Sequence, residues 1–236
     1  ANVPVYSTNA VPEFTVLLML SLVRKWKPME KKLSHQDFTL QGVQGKELGS
    51  MTLGLFGTGK LGIKTAEILH AMGCTILACS PHEKEEAKPY VTYTTQDEVF
   101  RKADLLFFHC VLNDATRQMV NRESIAKMKD GVYLVNTARG GLVDFEAVLD
   151  GLKSGKIAGF ASDVYDKEAP FIRKDLTGEK LEDPVLAELL SREDVILTPH
   201  VAFFTETSVS NLIRLSLESL IEFETTGTCE REVYRT

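Results

Sequence analysis

From Met51 onward, short apolar runs alternate with stretches in which apolar positions recur every three or four residues. The runs fall at 51–56, 75–79, 104–109, 131–136, 157–164 and 195–198. They lack the strict in–out alternation of a sheet with one wet face, so they predict strands buried on both sides. The stretches between them, at 61–72, 95–102, 122–128, 144–154 and 184–190, carry a helical period. Strands separated by helices predict a doubly wound α/β fold around a parallel sheet. Two flanks stand outside this alternation. Residues 12–26 predict an apolar helix with Pro12 in its first turn. Its apolar surface is wider than one stripe, and it packs either on its own sheet or against a second subunit. Residues 205–223 predict a second long helix, with Thr205 or Thr207 as cap and Glu206 in the first turn. The charged stretch 82–88 predicts a solvated loop.

Composition narrows the function classes. The 236 residues include 27 Lys+Arg and 33 Asp+Glu, a formal charge of −6. That acidic excess argues against nucleic acid or an anionic membrane as the main partner. The longest mostly apolar run, 14–23, falls far short of the ~20 residues of a membrane span, and no signal-peptide pattern is recognisable. Cys74, Cys79, Cys110 and Cys229 form no CxxC pair and no metal-ligand spacing with His, which predicts reduced thiols in the cytoplasm and no metal.

The candidate chemistry sits where apolar runs end. Gly57, Thr58, Gly59, Lys60, Leu61 and Gly62 follow the first strand and open the next helix. In that context GxGxxG signals a dinucleotide site. Gly57 permits the tight turn, Gly59 lets the backbone approach a pyrophosphate, and Gly62 lets helix and strand pack closely. The helix N-terminus then offers free N–H groups to the phosphates. The following strand would be expected to end in an acid for the ribose hydroxyls, but ends in Ser80. Ser80 can bond a hydroxyl and does not repel a 2′-phosphate. No Arg adjoins it and Glu83, Glu85 and Glu86 follow, so NAD is the first expectation and NADP the second. Further on, Arg139 precedes Gly140 and Gly141 after a buried strand, placed to clamp a carboxylate or else to pair with Asp144. Asp163, Asp166 and Glu168 end the next strand, and His200 the last. An Arg, a Glu and a His at three strand ends beside a dinucleotide site favour one catalytic cleft.

These residues, in this order, resemble the D-isomer-specific 2-hydroxyacid dehydrogenases, and within them the D-lactate branch. The likeness runs from about Asn2 to Glu232 and also takes in Tyr6, Ala10 to Phe14, residues 37–42, His109, Asn136 to Asp144, Tyr165, Thr198 to Phe203, and Thr226 to Cys229. The resemblance implies that Arg139 clamps the substrate carboxylate, that His200 transfers the proton, and that Glu168 orients His200 and extends reduction to higher pH. It implies that Lys60 and Leu61 meet the pyrophosphate through their backbone, and that Cys110, Val111 and Thr116 surround the adenosine and nicotinamide ribose. Thr137, Ala138 and Arg139 belong to the cofactor-binding turn, Asp163 lies near the nicotinamide, and Tyr6 and Phe203 touch the substrate. Ser80 and Val111 depart from the family pattern, which commonly has an acid and a Pro there.

The resemblance further implies a homodimer formed through the cofactor domain, with the helix at 12–26 at its interface. Residues 1–6 are expected to be a remnant of the substrate-domain connection, 7–204 the dinucleotide-binding domain, and 205–236 a helix and tail returning toward the substrate domain. A flavodoxin-like domain of roughly 100 residues is expected beyond this chain, since Ala1 begins mid-motif. Three functions are compatible: pyruvate reduction to D-lactate, reduction of a branched or aromatic 2-oxo acid, and non-enzymatic dinucleotide sensing like that of the family's transcriptional corepressors.

Overall fold

The computed structural model describes residues 2–3 and 6–233. Ala1, Pro4 and Val5, which fall in the expected connection segment, lie outside the described residues. Seven parallel strands form one sheet: β1 (Thr52–Phe56), β2 (Thr75–Cys79), β3 (Thr92–Tyr93), β4 (Leu105–Phe108), β5 (Val132–Asn136), β6 (Ile157–Ser162) and β7 (Val195–Leu197). Their order is β3-β2-β1-β4-β5-β6-β7. The chain therefore reverses direction across the sheet between β1 and β4, the switch point where open α/β sheets bind ligands beyond the strand carboxyl ends.

Alternate residues of each strand feed two cores. Leu53, Leu55, Leu105, Phe107 and Val135 face one layer, completed by α1 (Ala10–Val23) and α3 (Lys60–Ala71). Phe56, Leu106, Phe108, Leu134 and Phe160 face the other, completed by α4 (Gln96–Lys102), α5 (Arg122–Lys127), α6 (Phe145–Ser154) and α7 (Pro184–Ser191). Burial on both sides explains why the sequence shows apolar runs in place of alternation.

The flanks differ from the expected pattern in one place. The single helix expected over 12–26 is two. Lys25 adopts a left-handed conformation (φ 55°), ends α1 and starts α2 (Trp26–Ser34). α2 buries none of its residues. It is held through the Lys27 Nζ, which donates to the carbonyls of Leu190 and Arg192 at the end of α7 and of Val195 at the start of β7. α1 packs mainly on its own sheet, burying Val16, Leu18, Met19, Leu22 and Val23 and leaving Leu17 exposed. α8 (Glu206–Thr226) is capped by Thr205, whose hydroxyl accepts the Ser208 N–H. Only Ser208 and Ser219 of α8 are buried, so its apolar residues stand clear of the sheet. No helix of the described residues is long and apolar enough to cross a membrane.

Candidate active site

The glycine turn is built as its spacing predicts. Gly57 has φ +94°, and a Cβ there would lie 2.6 Å from the Cys110 nitrogen. A Cβ at Gly62 would lie 2.1 Å from the Gly57 oxygen, so turn and helix touch backbone to backbone. Gly59, the N-cap of α3, has no side-chain cap and open space around it. That combination of a tight turn, an uncapped helix N-terminus and open space in front of Gly59, Lys60 and Leu61 fits a pyrophosphate. Beneath it, His109 bonds Thr65 (2.9 Å). The Thr65 hydroxyl gives its own proton to the Leu61 carbonyl, so His109 donates through Nε2–H.

Around the adenosine end, the Thr58 N–H points at the Ser80 hydroxyl at 3.5 Å, and Tyr93 donates to the buried Thr58 hydroxyl at 2.9 Å. Tyr93 comes from the two-residue strand β3, too short to leave a periodic signal. Cys110 is half-buried, its thiol pushed up to about 11 by burial, and its Sγ contacts Met119. Val111 is exposed, and its carbonyl accepts the Thr116 hydroxyl at 2.6 Å, which folds the 111–116 loop back on itself. Thr137 is turned inward. Its hydroxyl meets that of Thr15 on α1 at 2.7 Å, which itself donates to Val11, so only the Thr137 main chain is left for the cofactor side.

Three consecutive neighbours in the sheet supply the polar groups. After β5, the fully buried Asn136 accepts the Ala138 N–H and donates to the Arg139 carbonyl, shaping the turn that carries Arg139. The Arg139 guanidinium is exposed and bonds the Ala138 carbonyl. Asp144 caps α6 and approaches Arg122, so the Arg139–Asp144 pairing weighed from sequence is not made. After β6, Asp163 is 1% exposed. Its carboxylate accepts the Thr198 hydroxyl (2.5 Å) and the N–H groups of Val201 (2.9 Å) and Ala202 (2.8 Å). It thus clamps the loop on which His200 sits with φ +57°, a left-handed conformation that a non-glycine residue adopts at a cost. The family likeness pointed to the cofactor for Asp163, and the structure gives it this further positioning role. The signal missed in sequence was its fixed relation to Thr198, visible only once β6 and β7 lie side by side.

His200 and Glu168 come together. His200 Nδ1 lies 2.8 Å from Glu168 Oε1, while Glu168 Oε2 accepts the Tyr165 N–H at 3.1 Å. With Nδ1 engaged, Nε2 is the nitrogen left for a substrate. The Phe203 ring lies 6.3 Å from His200 and 6.2 Å from Tyr6, each edge to face. The Tyr6 carbonyl is held by Asn211 of α8. An apolar cavity of about 230 Å³, lined by Val164, Phe171, Ile172, Leu186 and Leu197, abuts Glu168. Among the described residues no cluster of His, Cys, Asp and Glu has the makings of a metal site.

Comparison with known proteins gives this geometry its context. Residues 16–202 match the family described as D-isomer specific 2-hydroxyacid dehydrogenase, NAD binding domain. An aromatic 2-oxoacid reductase of Clostridium sporogenes is 45% identical over 98% of this chain and 70% of its own length. The crystal structure of a D-lactate dehydrogenase from Treponema pallidum superimposes with a TM-score of 0.93 at 37% identity, covering 99% of this chain and 71% of that one. That of the Aquifex aeolicus D-lactate dehydrogenase complexed with NAD and lactic acid gives 0.90 at 31% identity, covering 98% and 73%. The chain thus spans about 70% of the length of these relatives. With a matched family and a sheet, glycine turn and strand-end residues to support it, the chain belongs to the D-isomer-specific 2-hydroxyacid dehydrogenases and carries their NAD-binding domain.

Proposed function

We propose that this chain carries the redox site of a D-2-hydroxyacid dehydrogenase that reduces pyruvate to D-lactate and runs the reverse reaction. The observation that carries the reading is the 2.8 Å His200–Glu168 hydrogen bond, set one strand away from the exposed Arg139. Arg139 holds the substrate carboxylate through paired N–H groups, a geometry that its planar fork suits. The chemistry supplied by the bound dinucleotide is a hydride for the carbonyl carbon. As charge grows on the carbonyl oxygen, His200 donates from Nε2–H, first a hydrogen bond and then the proton. Glu168 accepts the Nδ1–H, fixes the ring orientation and offsets the charge of the protonated imidazole. Gly57, Gly59 and Gly62, with the Lys60 and Leu61 backbone, hold the pyrophosphate. Ser80, Cys110, Val111 and Thr116 border the ribose positions, Thr137 and Ala138 contribute main chain, and Asp163 holds the His200 loop beside the nicotinamide.

NAD is the proposed cofactor, with NADP admitted by Ser80 because no carboxylate repels a 2′-phosphate there. Calorimetric titration of the chain with NADH and with NADPH tests this. Tighter binding of NADH supports the reading, and a preference for NADPH reverses the cofactor assignment. Equal failure of both removes the dinucleotide site.

A second substrate reading, an aromatic 2-oxo acid, is favoured by the Tyr6–Phe203–Phe204 ring cluster and by the likeness to the Clostridium aromatic 2-oxoacid reductase. The ratio of kcat/KM for phenylpyruvate and pyruvate, measured on the full-length protein, decides between the two. The protein is proposed to act in the cytoplasm as a homodimer built on the cofactor domain (7–204), with α8 and its tail (205–236) directed to the substrate domain.

A further inference from the structure

Tyr165 has no part in the chemistry just described, yet it stands where the site's supports meet. Its N–H donates to Glu168 Oε2 (3.1 Å) and its carbonyl accepts the Glu168 N–H (3.2 Å), a tight turn that presents Oε1 to His200. Its hydroxyl donates to Asp183 Oδ2 (2.8 Å), across 18 residues of chain. The other oxygen of Asp183 accepts the N–H groups of Val185 and Leu186 and so caps α7. The Tyr165 ring packs edge to face on Phe145, the first residue of α6, with centroids 4.6 Å apart. Its carbonyl carbon presses on Gly140, where a Cβ would lie 2.4 Å away. The segment between β6 and α7 contains no helix or strand. It carries Glu168, and the Tyr165–Asp183 bond pins one end of it to the other.

We propose that Tyr165 is a positioning residue for 2-oxo acid reduction: by tethering the segment between β6 and α7 to Asp183, it keeps Glu168 within hydrogen-bond distance of His200. The inference rests on the reading of His200 as proton donor. The tether is available at every working pH. Burial first, and then the Asp183 hydrogen bond, push the phenol further above its ordinary value, so the hydroxyl remains a donor. Burial opposes ionisation of Asp183, but the Leu186 N–H and the Tyr165 hydroxyl outweigh it and hold that carboxyl below its ordinary range. Without the hydroxyl, the Tyr165 turn, the Phe171 and Ile172 N–H groups on the Glu168 carbonyl and the His200 bond itself still hold Glu168, but the two ends of its segment are no longer tied together, and loop residues so held sample more positions.

The test is the Nδ1–H proton of His200, which resonates far downfield when bonded to a carboxylate. Histidine-labelled chain is compared with Tyr165→Phe, Asp183→Ser and Glu168→Gln, with His200→Gln assigning the signal. Ser keeps a capping oxygen for α7 but is too short to hold the Tyr165 hydroxyl, so Asp183→Ser separates capping from tethering. The expected result is that Glu168→Gln removes the downfield signal. Tyr165→Phe and Asp183→Ser move it upfield and speed its exchange with water about tenfold, as the loss of one hydrogen bond would. In the full-length enzyme, both lower kcat and leave KM for NADH unchanged. A signal unmoved in Tyr165→Phe and Asp183→Ser, even with lowered melting temperatures, overturns the tether and leaves the His200–Glu168 reading intact. A signal unmoved in Glu168→Gln overturns that reading first.

Discussion

At the residue scale, His109 shows how the cofactor loop and the core share one side chain. Burial holds its imidazole at about 4, well below its ordinary value of 6.5. The unfolded chain takes up a proton near 6.5 and the folded chain only near 4, so between these values the unfolded state binds more protons. Stability is therefore fully present above about pH 6.5 and falls as the pH drops toward 4. About 1–2 kcal/mol is expected from this residue, less than full linkage gives, because the ring keeps some contact with solvent. Urea unfolding near pH 7.5 and pH 4.5 measures it. His109→Gln retains a donor for Thr65 and is expected to flatten the pH slope by that amount, and an unchanged slope would place the acid sensitivity elsewhere. Protonation also puts a charge under the Gly57–Gly62 contact, against the backbone proposed to meet the pyrophosphate.

At the element scale, the β1–turn–α3 unit separates packing from ligand approach. A methyl at Gly62 would meet the Gly57 carbonyl at 2.1 Å, and neither backbone atom can rotate aside. A methyl at Gly59 meets no protein atom, and the φ of −72° there suits any residue. Gly62→Ala is thus expected to cost about 2–3 kcal/mol of stability and at least tenfold in NADH affinity. Gly59→Ala should cost less, about 0.5–1 kcal/mol, because Ala is a poorer helix N-cap than Gly, and still weaken NADH. Thermal melts and calorimetry on the two variants check this, and equal melting temperatures would show that the Gly57–Gly62 contact yields. Both glycines were legible in the sequence because the chemistry fixes their spacing. So were six of the seven strands and the helices between them, since burial on two faces writes apolar runs. β3 was not legible, as two residues carry no period. Nor was the break at Lys25, where a left-handed residue inside an apolar helix pattern leaves no compositional mark. Arg139, Glu168 and His200 could be named singly because each follows a strand. That Asp163 clamps Thr198, Val201 and Ala202, and that Tyr165 reaches Asp183, are contacts between distant segments that no local pattern encodes.

At the scale of the whole molecule, apolar side chains stand exposed on two separate surfaces. One runs along α2 and the strand-less segment after it, with Trp26, Leu33, Phe38 (79% exposed) and Leu40 (87%). The other is the face of α8 with Ile213, Leu217, Leu220 and Phe223. We place the proposed homodimer on the first, because α2 lies within the matched NAD-binding domain and none of its residues is fully buried in its own chain. α8 is tied to Tyr6 through Asn211, and so to the segment proposed to lead toward the substrate domain. In a two-fold dimer each contact is made twice. Burying one Phe or Leu side chain contributes about 2 kcal/mol, so a single charge at Phe38 or Leu40 removes about 4 kcal/mol and raises the dimer Kd about 10³-fold. Sedimentation equilibrium is expected to show a dimer for the native chain and a monomer for Phe38→Glu and Leu40→Glu, with NADH affinity retained because the glycine turn lies elsewhere. Leu217→Glu on α8 should leave the dimer intact. If Leu217→Glu dissociates it while Phe38→Glu does not, the copies meet through α8, and the α2 surface must be covered by something else.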